Sequence, residues 1–285
     1  MELKQVDYQC ADGAGNVLSY YKCDSELAVL CLPALGMRAE KYHAILRAFS
    51  TQGLSVASVD LRGNGHSSLR PSRSIDFGYH EQIEYELPAA IDALLMATGC
   101  KSVVIFGHSI GAHIALLGQC HKDVRVKAII VCASGTVYFR NWPLFLSPII
   151  LLMMRLVKLI SFIFGHYPGQ YFGFGGKEAK RIMSDFAHTG VTGEFSFGHS
   201  DRQFSNELSE LKTLVLAINF ENDWYAPIKG TEHLLSFLPK AHIERKSFNK
   251  YQLNLKTASH FSWMKRPNAI SAEVVRWLKK HSMCD

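Results

Sequence analysis

The chain has 285 residues, of which 48% are hydrophobic and 20% charged, so it is large enough to bury the core of an ordinary globular protein. Its 31 Lys and Arg exceed its 25 Asp and Glu by six and are scattered, which argues against nucleic-acid binding. Seven cysteines without a Cys-x-x-Cys pair, and an N-terminus without an apolar signal region, predict a reducing, cytoplasmic location.

Short apolar runs alternate with segments able to form helices along most of the chain, after an opening hairpin around the turn-forming residues 12–16. The predicted strands are residues 4–10, 17–23, 28–32, 55–59, 102–106, 126–132, 213–220 and 242–247. The predicted helices are residues 39–51, 79–97, 110–119 and 269–281. This alternation is typical of an α/β fold in which helices flank a mostly parallel central sheet.

The alternation stops between residues 134 and 211, a span rich in Phe, Tyr, Trp, Leu and Gly that lies between two predicted sheet strands. Long excursions inside a compact domain are usually functional. We therefore predict a core formed by residues 1–133 and 212–285, and an inserted helical cap, or lid, formed by residues 134–211.

One stretch of the predicted cap, residues 143–164, could be mistaken for a membrane span. Its uninterrupted apolar part ends at Arg155, and Lys158 follows one turn later. This is short of the roughly 20 apolar residues that a spanning helix needs. The pattern favours a buried or interfacial helix that can rest against a membrane surface without crossing it.

The strongest local signal is the segment Gly107–Gly111, Gly-His-Ser-Ile-Gly, which follows an apolar strand and precedes a helix start of small residues. A serine on such a sharp strand-to-helix turn takes a strained backbone, and glycines two residues to either side avoid a collision with the neighbouring chain. The helix start directs its free N–H groups to the turn, where an oxyanion would form. The segment predicts that Ser109 is a nucleophile.

A serine hydroxyl becomes nucleophilic when a histidine removes its proton and a carboxylate orients that histidine. After a turn of this kind the acid precedes the histidine in the chain. The acid is expected just past a late strand, where Asp223 is the first choice and Glu221 the rival. The histidine is expected between the last strand and the terminal helix, where His260 lies. The predicted triad is Ser109, Asp223 and His260.

An oxyanion needs two backbone N–H donors, and one of them is expected from Ile110, the residue after the nucleophile. The second is expected from the loop after strand 28–32, where Leu35 is the better candidate and Ala34 the alternative. Because both are backbone groups, the residue types do not decide between them.

Several segments together resemble the α/β-hydrolase superfamily along nearly the whole chain, in the branch of monoacylglycerol-lipase-like and serine-aminopeptidase-like enzymes and specifically a bacterial group of α/β hydrolases. The segments are residues 33–36, 60–67, 107–111, 165–169, 223–227 and 259–263. The resemblance implies a triad of Ser109, Asp223 and His260 without a cofactor. One departure is Pro33-Ala34, where many relatives carry His-Gly at the oxyanion loop. We expect Asp60 and Arg62 to shape a loop rather than to react.

Other classes of function are weighed against this interpretation. His66, His108 and His113 are not spaced to share one helix face, so we predict no metal site there and expect His108 and His113 to pack or hydrogen-bond locally. A hydrolase-fold protein that only binds a ligand is the alternative from another class. The same triad also serves thioester hydrolysis, acyl transfer, lactone opening and peptide cleavage, and carboxylester hydrolysis is the first interpretation.

Aromatic residues crowd into the predicted cap, which should lie over Ser109. They predict a pocket for hydrophobic acyl or aryl groups, with Trp142, Phe145 and Tyr167 as candidate substrate-binding residues. The alternative is that these side chains only pack the cap onto the core. The predicted partner is a small hydrophobic ester, with a membrane surface as a further contact of the cap.

Overall fold

The computed structural model describes residues 2–197 and 202–284, and eight of its strands form one central sheet. The strands are β1 (Lys4–Gln9), β2 (Gly15–Tyr21), β3 (Leu27–Leu32), β4 (Ser55–Val59), β5 (Ser102–His108), β6 (Val126–Cys132), β7 (His166–Pro168), β8 (Lys177–Ala179), β9 (Leu214–Phe220) and β10 (His242–Phe248). The order across the sheet is β1-β2-β4-β3-β5-β6-β9-β10. The β1–β2 and β2–β4 pairs are antiparallel, and the other pairs of this sheet are parallel.

Helices cover both faces of the sheet. They are α1 (His43–Ser50), α2 (Tyr79–Glu81), α3 (Leu87–Thr98), α4 (Ile110–Gly118), α5 (Ser147–Phe164), α6 (Lys180–Thr192), α7 (Phe204–Ser209), α8 (Ile228–Ser236), α9 (Lys250–Leu253) and α10 (Pro267–Lys280). A π-helical turn, Gln82–Glu86, joins α2 to α3, and a 3-10 turn, Ala39–Tyr42, precedes α1. The ends of each predicted strand and helix lie within two residues of the ends of an observed strand, helix or continuous run of helical turns. The predicted fold class is confirmed.

The central strands are buried because their apolar side chains alternate between two cores. In β3, Ala28, Leu30 and Leu32 belong to one core, whereas Val29 and Cys31 belong to the other. Helices α3, α4 and α8 close the first core, and α1 and α10 close the second. Strand side chains alternate in direction, so a continuous apolar run supplies both cores at once.

The parallel strands bring the predicted site residues to one edge of the sheet. Leu35 follows β3, Ser109 follows β5 and Asp223 follows β9, while His260 lies in the loop between β10 and α10. Because carboxyl ends of parallel strands meet at the same edge, residues more than 200 positions apart converge there.

The chain leaves the sheet after β6 and returns at β9. Between them lie α5, α6 and α7, together with an antiparallel ribbon of β7 and β8 that the prediction of a purely helical cap did not include. Residues 198–201 of the predicted cap lie outside the described residues. The boundaries of the cap, 134–211, stay a prediction, and the segment is called the cap below.

Helix α6 anchors the cap to the core. The Ile182 N–H donates to the Phe77 carbonyl at 2.9 Å, and the Tyr79 N–H donates to Asp185 Oδ2 at 3.1 Å. Arg181 forms an ion pair with Glu81 of the core. Burial raises the pKa of the Asp185 carboxyl to about 7. The anchor therefore contains a carboxyl that resists ionisation.

This raised pKa predicts a pH dependence of stability. The folded state holds the Asp185 proton more tightly than the unfolded state, so unfolding becomes easier as pH rises from about 4 through 7. The variant Asp185→Asn keeps an acceptor for the Tyr79 N–H, and this loss of stability with rising pH should be absent from it. Urea unfolding at pH 5 and pH 8 should show wild type losing on the order of 2 kcal/mol relative to the variant. The exposed Asp24→Asn serves as control and should follow wild type, and parallel profiles for all three proteins would contradict the assignment.

Candidate active site

Ser109 lies on the turn between β5 and α4 with φ of 55° and ψ of −120°. A Cβ atom on Gly107 would lie 2.4 Å from the Ala112 backbone, and one on Gly111 would lie 2.4 Å from the Leu32 carbonyl oxygen. Backbone packing this close admits only glycine at both positions. The predicted reason for the two flanking glycines is confirmed, and the strained serine between them faces the carboxyl edge of the sheet.

Asp223 and His260 are in direct contact at this edge. His260 Nδ1 lies 3.0 Å from Asp223 Oδ1 and 2.9 Å from Oδ2, and both residues are buried. The backbone N–H groups of Tyr225 and Ala226 donate to Asp223 Oδ1 at 2.9 Å, which fixes the carboxylate. The rival Glu221 is exposed. The contact occupies Nδ1, so Nε2 is the ring nitrogen that can act as a base.

The two candidate oxyanion positions differ in their hydrogen bonding. The Ala34 N–H donates to Tyr42 Oη at 2.9 Å, so it is already occupied. The N–H groups of Leu35 and Ile110 have no hydrogen-bond partner among the described residues. The geometry therefore favours Leu35 over Ala34 as the second donor beside Ile110.

A buried chain of hydrogen bonds connects this loop to His260. Tyr42 Oη lies 2.6 Å from His108 Nδ1, and His108 Nε2 lies 3.0 Å from the His260 carbonyl oxygen. A carbonyl oxygen can only accept a hydrogen bond, so His108 carries its proton on Nε2. Its unprotonated Nδ1 accepts a hydrogen bond from the Tyr42 hydroxyl. Burial, and then the neighbouring His260, lower the pKa of His108 well below its usual value, so its ring is neutral. Every polar group in this series of hydrogen bonds therefore has a partner.

Ser109 and His260 line the same cavity, which has a volume of about 130 Å³. Most of its walls are apolar and come from the cap and from the loops that carry Asp223 and His260. Its lining residues are Ala34, Leu35, Ser109, Val137, Trp142, Ile150, Met153, Met154, Gly173, Phe174, Gly175, Phe186, Trp224, Tyr225, His260 and Phe261. The structure thus places an apolar chamber directly over the serine.

Of the three candidate substrate-binding residues, only Trp142 lines this cavity. Phe145 precedes α5, is 76% exposed, and lies outside the cavity lining. Tyr167 also lies outside the lining. Its ring packs against Phe172 and Phe174, with centroids 5.9 and 6.4 Å away, and Phe174 forms the wall of the cavity.

Sequence reasoning missed two groups of residues at this site. Trp224, Tyr225 and Phe261 line the cavity, and their positions beside Asp223 and His260 in the chain are a signal that could have identified them. Tyr42 has no such signal, since its partner His108 is 66 residues away.

The cap touches the oxyanion loop through glycines. Gly36 has φ of 71°, and a Cβ atom there would lie 2.4 Å from the Gly176 nitrogen of the cap. The Glu178 side chain accepts the Gly176 N–H at 2.8 Å and holds this turn of the cap in place. Cap and loop are therefore in backbone contact next to Leu35.

Asp60 and Arg62 have structural contacts. Asp60 Oδ1 accepts the Ala39 N–H at 2.8 Å, and Oδ2 accepts the His66 N–H at 2.9 Å. Arg62 forms ion pairs with Asp12 and Glu86 at 2.6 and 2.9 Å. These contacts hold the loop after β4, as expected.

In the described part of the chain, one group has an arrangement that could hold a metal ion: His242, Glu244 and His281. It lies at the start of β10, about 20 Å of strand away from the catalytic edge. Lys280 Nζ already binds Glu244 at 2.8 Å, so a cation occupies this carboxylate.

The other predicted local histidine, His113, lies 3.0 Å from Tyr79 Oη and 3.1 Å from the Gly135 carbonyl oxygen.

Comparison with solved structures shows the same fold in several hydrolases. An esterase from Exiguobacterium antarcticum superimposes with a TM-score of 0.64 at 15% identity, over 96% of this chain and 99% of that chain. An esterase from Pyrococcus furiosus gives 0.63 at 13% identity, over 98% and 92% of the two chains. A thioesterase domain from the curacin biosynthetic pathway gives 0.61 at 15% identity, over 96% and 100%.

Sequence comparison identifies the family. A search of curated proteins finds no match. A model of the alpha/beta hydrolase family matches residues 29–270, well over half of the sequence. The matched region contains Ser109, Asp223 and His260 as well as the cap between them. The chain therefore belongs to the alpha/beta hydrolase family.

Proposed function

We propose that this protein is a serine hydrolase that cleaves carboxylic esters with hydrophobic acyl groups. The observation that carries the proposal is the Asp223–His260 pair in the wall of the apolar cavity that also holds Ser109. A ligand-binding protein would not need a buried carboxylate to fix the tautomer of a histidine beside a strained serine. The arrangement supports catalysis over simple binding.

The proposed reaction uses only groups of this chain. His260 Nε2 takes the proton of Ser109 Oγ as that oxygen attacks the ester carbonyl carbon, and Asp223 stabilises the imidazolium. The N–H groups of Leu35 and Ile110 bind the oxyanion. The intermediate collapses to an acyl-enzyme, and His260 passes the proton to the leaving alcohol. Water, deprotonated by His260, then attacks the acyl carbon, the bond from that carbon to Ser109 Oγ breaks as the acid is released, and His260 returns the proton to Oγ.

Tyr42 and His108 act in this proposal as positioning residues. His108 restrains the His260 backbone, and Tyr42 restrains Ala34, the neighbour of Leu35. One chain of hydrogen bonds thus holds the base and the oxyanion loop at a fixed separation. Small displacements of either group are costly for catalysis, because transition-state stabilisation depends on preorganised geometry.

Labelling with a fluorophosphonate tests the triad. Ser109 should be the modified residue by mass spectrometry, and Ser109→Ala should not react, because the probe reports an activated serine. Asp223→Asn should fold, since it keeps an oxygen for the Tyr225 and Ala226 N–H groups, yet its kcat should fall by about three to four orders of magnitude.

The matched control for this experiment is Glu221→Gln, which should stay within about twofold of wild type because the side chain is exposed. Labelling that persists in Ser109→Ala would overturn the assignment of the nucleophile. A greater loss in Glu221→Gln than in Asp223→Asn would overturn the assignment of the acid.

Tyr42→Phe tests the positioning chain. Removing the hydroxyl leaves two buried polar groups without a partner, which should cost about 1–3 kcal/mol of stability, and we expect kcat to fall about tenfold with little change in KM. Tyr79→Phe is a matched control, because its hydroxyl contacts His113 in the same way. It leaves one polar group unpaired instead of two, so it should lose less stability, and it should show no loss of kcat. Equal losses of kcat in both variants would count against a positioning role.

The apolar cavity predicts a preference for acyl chain length. In p-nitrophenyl esters from two to twelve carbons, kcat/KM should rise up to about fourfold per carbon until the cavity is full, since each buried methylene contributes about 0.8 kcal/mol. Trp142→Ala should flatten this rise, whereas Phe145→Ala should keep it. A rate that falls steadily beyond two carbons would exclude an acyl pocket, and faster turnover of matched thioesters would reassign the substrate class.

A further inference from the structure

Helix α5 is apolar on two opposite sides. Its inner stripe of Ile150, Met154, Val157 and Ser161 is buried. Its outer stripe of Leu152, Leu156, Leu159 and Ile163 is exposed, with the same spacing of four, three and four residues. This spacing places each stripe along one side of a helix. The inner stripe explains how α5 packs on the protein, but nothing in the described fold covers the outer stripe.

The outer stripe is the centre of a larger apolar surface on the cap. Of the twenty large apolar side chains that are exposed in the described part of the chain, twelve lie between residues 144 and 172. They include Leu144 and Phe145 before α5, and Tyr171 and Phe172 after it. Scattered exposed apolar residues are ordinary, but a gathering of this kind marks an interaction surface. We call the surface formed by these twelve side chains the cap face.

The charges in the segment of the chain that carries the cap face have one sign. Between residues 124 and 177 the sequence has no Asp or Glu. Arg155 and Lys158 are exposed along one flank of α5, and Arg140 and Lys177 are exposed elsewhere in the same acid-free stretch. An apolar centre with basic flanks complements a partner that is apolar inside and negative at its surface.

The cap face is continuous with the mouth of the catalytic cavity. Met153, Trp224, Tyr225 and Phe261 are each both exposed and part of the cavity lining. A molecule that leaves an apolar phase against the cap face therefore meets apolar and aromatic side chains at the mouth of the cavity.

We propose that the cap face docks on the surface of an anionic lipid bilayer, with α5 lying in the plane of the interface, and that the substrate ester enters the cavity from the lipid. The docking is independent of the reaction, whereas the route of entry rests on the function proposed above. Lipid satisfies both features of the face, since acyl chains accept the outer stripe and anionic headgroups accept Arg155 and Lys158.

Helix α5 fits an orientation in the plane of the membrane interface better than an orientation across the membrane. By length and composition the helix could cross a membrane, with 18 residues and a mean hydropathy of 2.0. Its inner stripe, however, packs on α6, where Met154 lies so close to Gly190 that a Cβ atom there would meet its Cγ at 2.5 Å. Two charges also interrupt the helix near its middle. Crossing would break this packing and bury both charges in lipid.

Vesicle co-sedimentation tests the docking on the whole chain. Wild type should bind phosphatidylcholine vesicles that contain phosphatidylglycerol at least tenfold more tightly than pure phosphatidylcholine vesicles, and high salt should weaken the binding. Leu152→Glu with Leu156→Glu should lower binding at least tenfold. Arg155→Glu with Lys158→Glu should remove most of the preference for anionic vesicles. Neither pair lines the cavity, so turnover of a soluble short-chain ester should stay within about twofold.

Matched controls separate the cap face from general effects. Met96→Glu with Val124→Glu makes the same kind of change at exposed apolar residues outside the cap face, and it should bind like wild type. Lys212→Glu with Lys279→Glu makes the same change of net charge at exposed positions outside the cap, and it should keep the preference for anionic vesicles.

Four outcomes would overturn the docking. The first is no binding to anionic vesicles, and the second is an equal loss of binding in the control variants. The third is a protein that only detergent releases from membranes, and the fourth is a stable dimer that Leu152→Glu with Leu156→Glu dissociates. The third would show a span, and the fourth would show a second copy of the chain on the face. Vesicle binding by a protein without esterase activity or Ser109 labelling would overturn the proposed function and the entry route while leaving the docking intact.

Discussion

The turn at Ser109 is the constraint on which the rest of this structure depends. A non-glycine residue held at positive φ costs about 1–3 kcal/mol and persists only where its surroundings hold it. Here the Ser109 N–H donates to the Cys132 carbonyl, and Ser134 Oγ donates to the Ser109 carbonyl, at 3.0 and 2.7 Å. The two flanking glycines let β3 and α4 approach the turn. Three strands and a helix are thus fixed around one strained residue.

Polar groups beneath this turn are buried, and their mutual pairing determines the geometry of the site. Tyr42 and His108 lie in the core, where an unpaired hydroxyl or imidazole would be costly. Tyr42 accepts the Ala34 N–H of the oxyanion loop, His108 donates to the His260 carbonyl, and the two side chains bond to each other. The requirement that buried polar groups be satisfied therefore sets the relative position of two elements of the candidate site that the sheet alone would leave loosely defined.

Local patterns predicted those parts of the molecule that depend on local physics. Buried strands, the serine turn and the order of acid and histidine could all be inferred from short segments, and the structure brings Asp223 and His260 together as that order implies. Phe145 and Tyr167 lie outside the cavity lining, which composition could not indicate because it does not reveal which side of a cap faces inward. Tyr42 was missed because a contact across 66 residues leaves no local trace. The branch of the family stays a prediction.

The contact between Gly36 and the Gly175–Gly176 turn limits how this enzyme can diversify. Caps of hydrolases are often pictured as modules that recombine freely on a constant core. In this chain the Gly175–Gly176 backbone lies so near Gly36 that a Cβ atom on Gly36 would meet the Gly176 nitrogen at 2.4 Å, and a transplanted cap would have to reproduce this backbone approach beside Leu35. New substrate ranges should therefore arise more readily from changes within the resident cap, at residues such as Trp142 and Met153, than from exchange of the whole segment.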